Sequence, residues 1–350
     1  VVTGLRRVGS FGSEDRVVAA RAAALACGVA LACTVAPALA AGALPFASAE
    51  ASAPANASAA ASAKNRTSSP TDLDAEIDGL GLDRLGGALG IEIVIEGRGV
   101  VYSRDPSTPR PAASAIKTAI ALDLLAERAD VLNDVPVGVQ NLLSPGMHPA
   151  FRGFSAAQLD EARRALAGKT YLELARIMMG RTEALNDIYN AACNVLMVKL
   201  GGPAAINRRL HERDPAFAGF DVNRYMLTWD GDGDNMATPE ALVNLYRMTA
   251  SGHVPGLDAV RVDTLRELIL DSGTGGPGSV YEKAGTLYPK PIARVHAGYV
   301  TRPEGTLVYA IMGEVADTGS RAPGDVFVEL LNAVDTVTMY CRDLAEYGTR

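Results

Sequence analysis

Ser114-Ala115-Ile116-Lys117, which opens an apolar run, and Lys283-Ala284-Gly285-Thr286 far downstream decide how this chain reads. Residues three apart on a helix lie one turn apart on the same face, so the Lys117 amine falls within hydrogen-bond reach of the Ser114 hydroxyl. A free serine hydroxyl is a poor nucleophile. An amine whose pKa is lowered by burial and by a second cation takes its proton, and such a pair attacks amide or ester carbonyls. The spacing points to a serine acyl-enzyme.

Working outward from Ser114, the preceding residues alternate around a glycine turn. Ile91-Glu92-Ile93-Val94-Ile95, Gly97-Arg98-Gly99 and Val100-Val101-Tyr102-Ser103 read as a hairpin, preceded by a short amphipathic helix over Leu73–Leu85. After Pro111 the period becomes helical, with helices expected over 114–129, 156–166, 171–179, 191–200, 204–212 and 239–249. Thr238-Pro239-Glu240 supplies an N-cap, a first-turn proline and an acid at the positive end of the dipole. The middle of the chain therefore reads as all-α. Strands return over 279–287, 292–301 and 306–315, and a final helix spans 324–344. A sheet assembled from both chain ends, flanked by helices and carrying an inserted all-α lobe, is an α/β (α+β) two-lobed arrangement. Ser114 and Lys283 both reach the cleft between lobes, the expected place for a site.

Residues 1–40 carry Arg6, Arg7, Arg16 and Arg21, an apolar run over 22–37 and the exit Ala38-Leu39-Ala40, a pattern expected of an export signal. An uncleaved N-terminal anchor and a lipoprotein cysteine at Cys33 are the alternatives. Residues 41–71 are almost entirely Ala, Ser, Pro, Asn, Lys and Thr, too polar to offset the entropy of ordering, and read as a linker. Residues 72–350 then suffice for one well-buried domain. A net charge of −7 argues against nucleic acid or an anionic membrane surface as partner. Outside the signal only Cys193 and Cys341 remain, each in an apolar helical pattern, and two separate buried thiols are expected rather than a disulfide.

The ordered motifs resemble those of the serine β-lactamase and penicillin-binding-protein superfamily, closest to class A β-lactamases, over residues 73–350. That signature runs S-x-x-K, S-D-N, K-[ST]-G. Ser114 and Lys117 match the first element, and Lys283 and Gly285 the third, with Ala284 in place of the hydroxyl residue. Asn190-Ala191-Ala192-Cys193-Asn194-Val195-Leu196, followed by Gly201-Gly202-Pro203, matches the flank of the second and makes Asn190 its asparagine. The resemblance implies a β-lactamase-like fold, Ser114 as acylated nucleophile and Lys117 as its base. Lys283 becomes the cation that lowers that base's pKa and draws a substrate carboxylate. Asn190 would hold the substrate amide, and the backbone N–H groups of Ser114 and Thr286 would form the oxyanion hole beside Gly285.

Two positions depart from the pattern. Ile188 stands where the motif serine, which bridges the two lysines and passes a proton to the leaving nitrogen, belongs; a local insertion would bring Thr182 or Asn186 there instead. Arg224 stands where class A enzymes carry the glutamate that activates the deacylating water, and an arginine is no general base. Asp221, Asp230, Asp232 and Asp234 are the nearby acids. Asp230-Gly231-Asp232-Gly233-Asp234 reads as Asp-Gly turns rather than a calcium loop, since Asn235 occupies the loop's glycine position. On the strand beside the Lys283 strand, Arg294 suits an anionic substrate as a bidentate guanidinium, and His296 is expected to meet a satisfied neighbour. No Gly-x-Ser-x-Gly elbow supports a Ser-His-Asp triad.

The expectation is an exported serine hydrolase, a monomer needing neither cofactor nor metal, acylated on Ser114 by a β-lactam or a peptidoglycan-peptide-like amide. A catalytically degenerate binding module and an esterase or acyltransferase acting on another small molecule are the alternatives.

Overall fold

The computed structural model describes residues 70–343 apart from 82, 83, 85, 229–232 and 304. The expected export signal and nearly all of the linker, as well as Asp230 and Asp232, lie outside the described residues.

Strand β1 (Gly87–Ile95) pairs antiparallel with β2 (Gly99–Arg104), Ile91 facing Arg104 and Ile95 facing Gly99. The other face of β1's ladder is β9 (Gly305–Val315), from Gly87↔Val315 to Ile95↔Leu307. Beyond it come β8 (Ile292–Arg302), β7 (Val280–Leu287) and the short β6 (Leu270–Ser272), giving the order β2-β1-β9-β8-β7-β6. The two ends of the chain thus build one antiparallel sheet. Its central strands are apolar on both faces, because both faces are covered. Along β9, Val308, Ala310 and Met312 join the core on the helical-lobe side. Leu307, Tyr309 and Ile311 join the core on the other side, as the period of two requires.

Helix α1 (Pro70–Gly79) precedes the sheet and ends in a turn at Leu80 and Gly81, short of the expected Leu85. Helix α2 (Ile116–Glu127) runs through the centre of the lobe, with every residue from Ile116 to Leu125 buried. A helix apolar nearly all round can only be stable there. Around it lie α3 (Val139–Leu142), α4 (Ala156–Ala165), α5 (Tyr171–Met178), α6 (Asn186–Lys199) and α7 (Pro203–Arg213). Helix α8 (Pro239–Ser251) packs on the lobe-side face of β9, β8 and β1, and α10 (Pro323–Asp343) on β8 and β9. The Thr238 hydroxyl accepts from Ala241 N at 3.1 Å with Pro239 in the first turn, the cap expected from sequence.

Three further features differ from the expectation. Helix α6 begins at Asn186 rather than Ala191, bringing Ile188 and Asn190 onto the helix. Helix α9 (Ala259–Ile269), capped by Asp258, leads into β6 and has too weak an apolar period to stand out in the sequence. The all-α middle also contains a small sheet ordered β3 (Arg110–Pro111), β5 (Met236–Ala237), β4 (Phe220–Asp221). Strands of two residues have no alternation to read. Cys193 and Cys341 are free and buried in different cores, as expected.

Candidate active site

Ser114 sits in a single 3-10 turn, Ala113–Ala115, that runs directly into α2. Ala113 holds φ +47, a left-handed conformation that costs a residue with a Cβ about 1–2 kcal/mol. Strand β7 packs on this turn so closely that a Cβ added to Gly285 would lie 2.4 Å from Ser114 N and 3.1 Å from Ala115 N. Only glycine permits that approach. Gly285 therefore brings the β7 backbone, with the Thr286 N–H next along it, against the backbone of Ser114.

One turn beyond Ser114, in the first turn of α2, Lys117 is 2 % exposed and its Nζ donates to Asn190 Oδ1 at 2.9 Å. Burial holds its pKa below the ordinary lysine value. The Cys193 thiol, itself pushed up to about 11 by burial, acts in the opposite direction on Lys117 but does not outweigh burial. A neutral amine has N–H groups for Asn190 and one lone pair left to accept a proton.

Lys283 shares the lobe-side face of the sheet with its cross-strand partner Ala297. Its Nζ donates to Met179 O at 3.3 Å, just before Gly180, whose added Cβ would lie 3.9 Å away. Burial first, and then the charges of Lys117 and Arg181, lower its pKa to about 7. Arg181 was not singled out from sequence. It donates to Leu268 O at 2.8 Å and Glu282 O at 3.3 Å, pinning the loop between α5 and α6 against β7. A lone basic residue just ahead of the Asn190 helix was the sole signal for it.

The two departures keep their places. Ile188 is buried in the first turn of α6, whereas Thr182 and Asn186 are exposed. Thr182 contributes only its carbonyl, which accepts from the Tyr189 hydroxyl at 2.9 Å. The alternative left open by the sequence, that an insertion brings Thr182 or Asn186 into the place of the motif serine, therefore receives no support from their exposed positions. Arg224 is buried in an ion pair with Asp234, its Nε 2.9 Å from Oδ1, and donates to Thr228 O at 2.9 Å. Asn194, one turn beyond Asn190, anchors this loop: its amide donates to Ala150 O (2.7 Å) and Met226 O (2.9 Å) and accepts from Met226 N (2.7 Å). The loop is thus held by arginine and asparagine contacts, with Asp234 committed to Arg224. No group of three or more potential metal ligands occurs among the described residues.

Thr286 is exposed and faces Arg294 across the β7–β8 register. Arg294 Nε donates to Asp335 Oδ1 at 2.8 Å. His296, two residues on, lies between Glu282 and Asp335 and so meets the satisfied neighbours expected of it.

No protein-family model and no curated protein sequence matches the chain. Solved structures do. A class A beta-lactamase from Bacteroides cellulosilyticus is similar with a TM-score of 0.56 and 18 % identity, over 78 % of this chain and 98 % of that one. A class A beta-lactamase from Mycobacterium abscessus gives 0.54 and 20 % over 77 % and 98 %. A beta-lactamase from Burkholderia vietnamiensis gives 0.53 and 20 % over 75 % and 97 %. The chain has the class A β-lactamase-like fold of serine hydrolases, and at these identities the likeness establishes the fold alone.

Proposed function

We propose that the chain is an exported serine hydrolase that forms an acyl-enzyme on Ser114 with a β-lactam or a peptidoglycan-peptide-like amide. The observation that carries this reading is Lys117: buried, lowered in pKa, held by Asn190 and one turn from a serine whose backbone N–H lies against β7. Ser114 Oγ attacks the carbonyl carbon while its proton passes to Lys117 Nζ, and the N–H groups of Ser114 and Thr286 receive the oxyanion. When the C–N bond breaks, the proton leaves Lys117 for the amide nitrogen and the acyl group stays on Ser114. Lys283 and Arg294 attract the substrate carboxylate. Asn190, whose oxygen is occupied by Lys117, has its amide N–H₂ to offer the substrate carbonyl.

Turnover is the weaker half of the cycle. Arg224, paired with Asp234, cannot activate water, so the acyl-enzyme is expected to be long-lived. Export is part of the same reading and rests on the basic and apolar pattern of residues 1–40; the protein acts as a monomer without cofactor. Intact-mass spectrometry with benzylpenicillin and a cephalosporin tests the proposal. A stoichiometric adduct that maps to Ser114, decays slowly and is lost in Ser114→Ala is expected. No adduct and no hydrolysis would refute it and leave a binding module, whereas reaction with thioesters or activated esters alone would indicate an acyltransferase.

A further inference from the structure

Behind the Lys283 strand, on the face turned to α10, lies a polar cluster centred on the buried Glu282 and His296, of which the proposed chemistry uses only Arg294. His296 on β8 is 8 % exposed. Its Nδ1 is 2.8 Å from Glu282 Oε1 and its Nε2 is 2.8 Å from Asp335 Oδ1. A neutral imidazole carries one N–H, so one of these contacts would set a nitrogen lone pair against a carboxylate oxygen. Both contacts are hydrogen bonds only when the ring is an imidazolium.

Every element packed on the ring contributes a charged or titratable group. From β7 comes Glu282, whose other oxygen accepts from the Tyr309 hydroxyl of β9 at 2.5 Å and from Arg342 of α10. Strand β8 adds Arg294, and α10 adds Asp335. Burial alone would raise the Glu282 carboxyl, but His296, Arg342 and Tyr309 bring it down to about 2. Burial likewise opposes the imidazolium, and Glu282 and Asp335 outweigh it, raising His296 above its ordinary value.

Two connections lead from this cluster to the site. Glu282 immediately precedes Lys283. Asp335 Oδ1 accepts from both His296 Nε2 and Arg294 Nε, each at 2.8 Å, and Arg294 faces Thr286 across the register. We propose that His296 is a positioning residue: as an imidazolium it clamps Glu282 with one N–H and Asp335 with the other, and through Asp335 it sets Arg294 to receive the substrate carboxylate. The inference rests on the acyl-enzyme reading for its carboxylate, though not for the clamp itself. Deprotonation of His296 turns a lone pair on one of its two acids and frees Asp335 or Glu282, so recognition of an anion weakens as pH rises through the His296 value.

The test has two independent arms. Nitrogen-15 NMR of the wild-type protein at pH 7.5 should show both ring nitrogens of His296 protonated and the Arg294 Nε–H protected from exchange. A neutral ring at that pH overturns the proposal whatever the enzyme does. The second arm compares acylation by benzylpenicillin and by its methyl ester. Glutamine can place an N–H where Nε2 stood and asparagine only where Nδ1 stood, so His296→Gln should keep the preference for the free acid. His296→Asn should lose about tenfold of that preference and the Arg294 protection, the scale of one charge-assisted hydrogen bond. His296→Gln should also lack the His296 limb of the pH profile and retain the Lys283 limb. Equal loss with both probes in both variants would show a merely structural residue and overturn the proposal. An imidazolium with a protected Arg294 but no acylation by either probe would uphold the clamp and remove the acyl-enzyme reading instead.

Discussion

Replacing Gly285 with alanine tests the contact on which the nucleophile's geometry depends. The added Cβ would stand 2.4 Å from Ser114 N, 2.9 Å from Ala113 Cβ and 3.1 Å from Ala115 N. Two of these three neighbours are backbone atoms of the turn that presents Ser114, so no rotamer change relieves the clash. Reaching ordinary contact requires β7 and the turn to separate by about 1 Å. Overpacking of this kind costs about 1–3 kcal/mol, or a melting temperature lower by a few degrees in a domain of this size. Activity should suffer more. A 1 Å displacement of reacting groups removes about 10²-fold, and the new methyl group also stands over the Ser114 N–H that should bind the oxyanion, whose loss is worth about 10²–10³-fold. Gly285→Ala should therefore slow acylation of Ser114 by a fluorescent penicillin at least about 10²-fold while the circular-dichroism melt remains cooperative. Wild-type acylation kinetics in a folded Gly285→Ala protein would show that the close approach of β7 does not set the geometry at Ser114.

Lys283 should make a contribution to stability that rises with pH above neutrality. Lys283 titrates near 7 in the folded protein against an ordinary lysine value of 10.5, so between these values the unfolded chain binds more protons and the slope of unfolding free energy with pH is positive. Urea titrations from pH 6.5 to 9.5 should show the wild-type midpoint gaining on that of Lys283→Gln as pH rises, a comparison in which the opposite contribution of the raised His296 cancels. Asp123, fully buried on α2 and bound by Arg209 (Nη2 to Oδ2, 2.6 Å) and Arg213 (3.3 Å), should cost about 3–5 kcal/mol as Asp123→Ala, read by denaturant unfolding, because two guanidinium groups lose their buried partner. Ile188→Ser should lower stability by about 1–3 kcal/mol through lost core packing and yet speed β-lactam acylation about tenfold or more in stopped-flow assays, since a hydroxyl there can carry the proton to the leaving nitrogen.

The fold was legible because its signals are local and periodic. The alternation of Ile91–Ile95 around Gly97-Arg98-Gly99, the apolar run after Ser114 and the Thr238-Pro239 cap each follow from one stretch of chain. Each is found where expected. The S-x-x-K spacing likewise placed Lys117 one turn from Ser114, because helix geometry needs no tertiary partner to enforce it. The start of α6 at Asn186 and the two-residue strands β3, β4 and β5 were not legible, since pairing across more than a hundred residues, such as Arg110 with Ala237, leaves no mark on either segment alone.

The S-x-x-K pair Ser114 and Lys117, the Lys283 strand and the two departures at Ile188 and Arg224 are all readable from the sequence. Only the tertiary structure decided what those side chains meet. Burial in the helical lobe lowers the Lys117 pKa, and burial, joined by the charges of Lys117 and Arg181, brings Lys283 to about 7. The ion pair with Asp234 gives Arg224 a structural role, and α10 brings Asp335 to Arg294 and His296. Charge, hydration and proton affinity depend on distances between segments remote in sequence, and those distances exist only once the sheet has closed over the helical lobe.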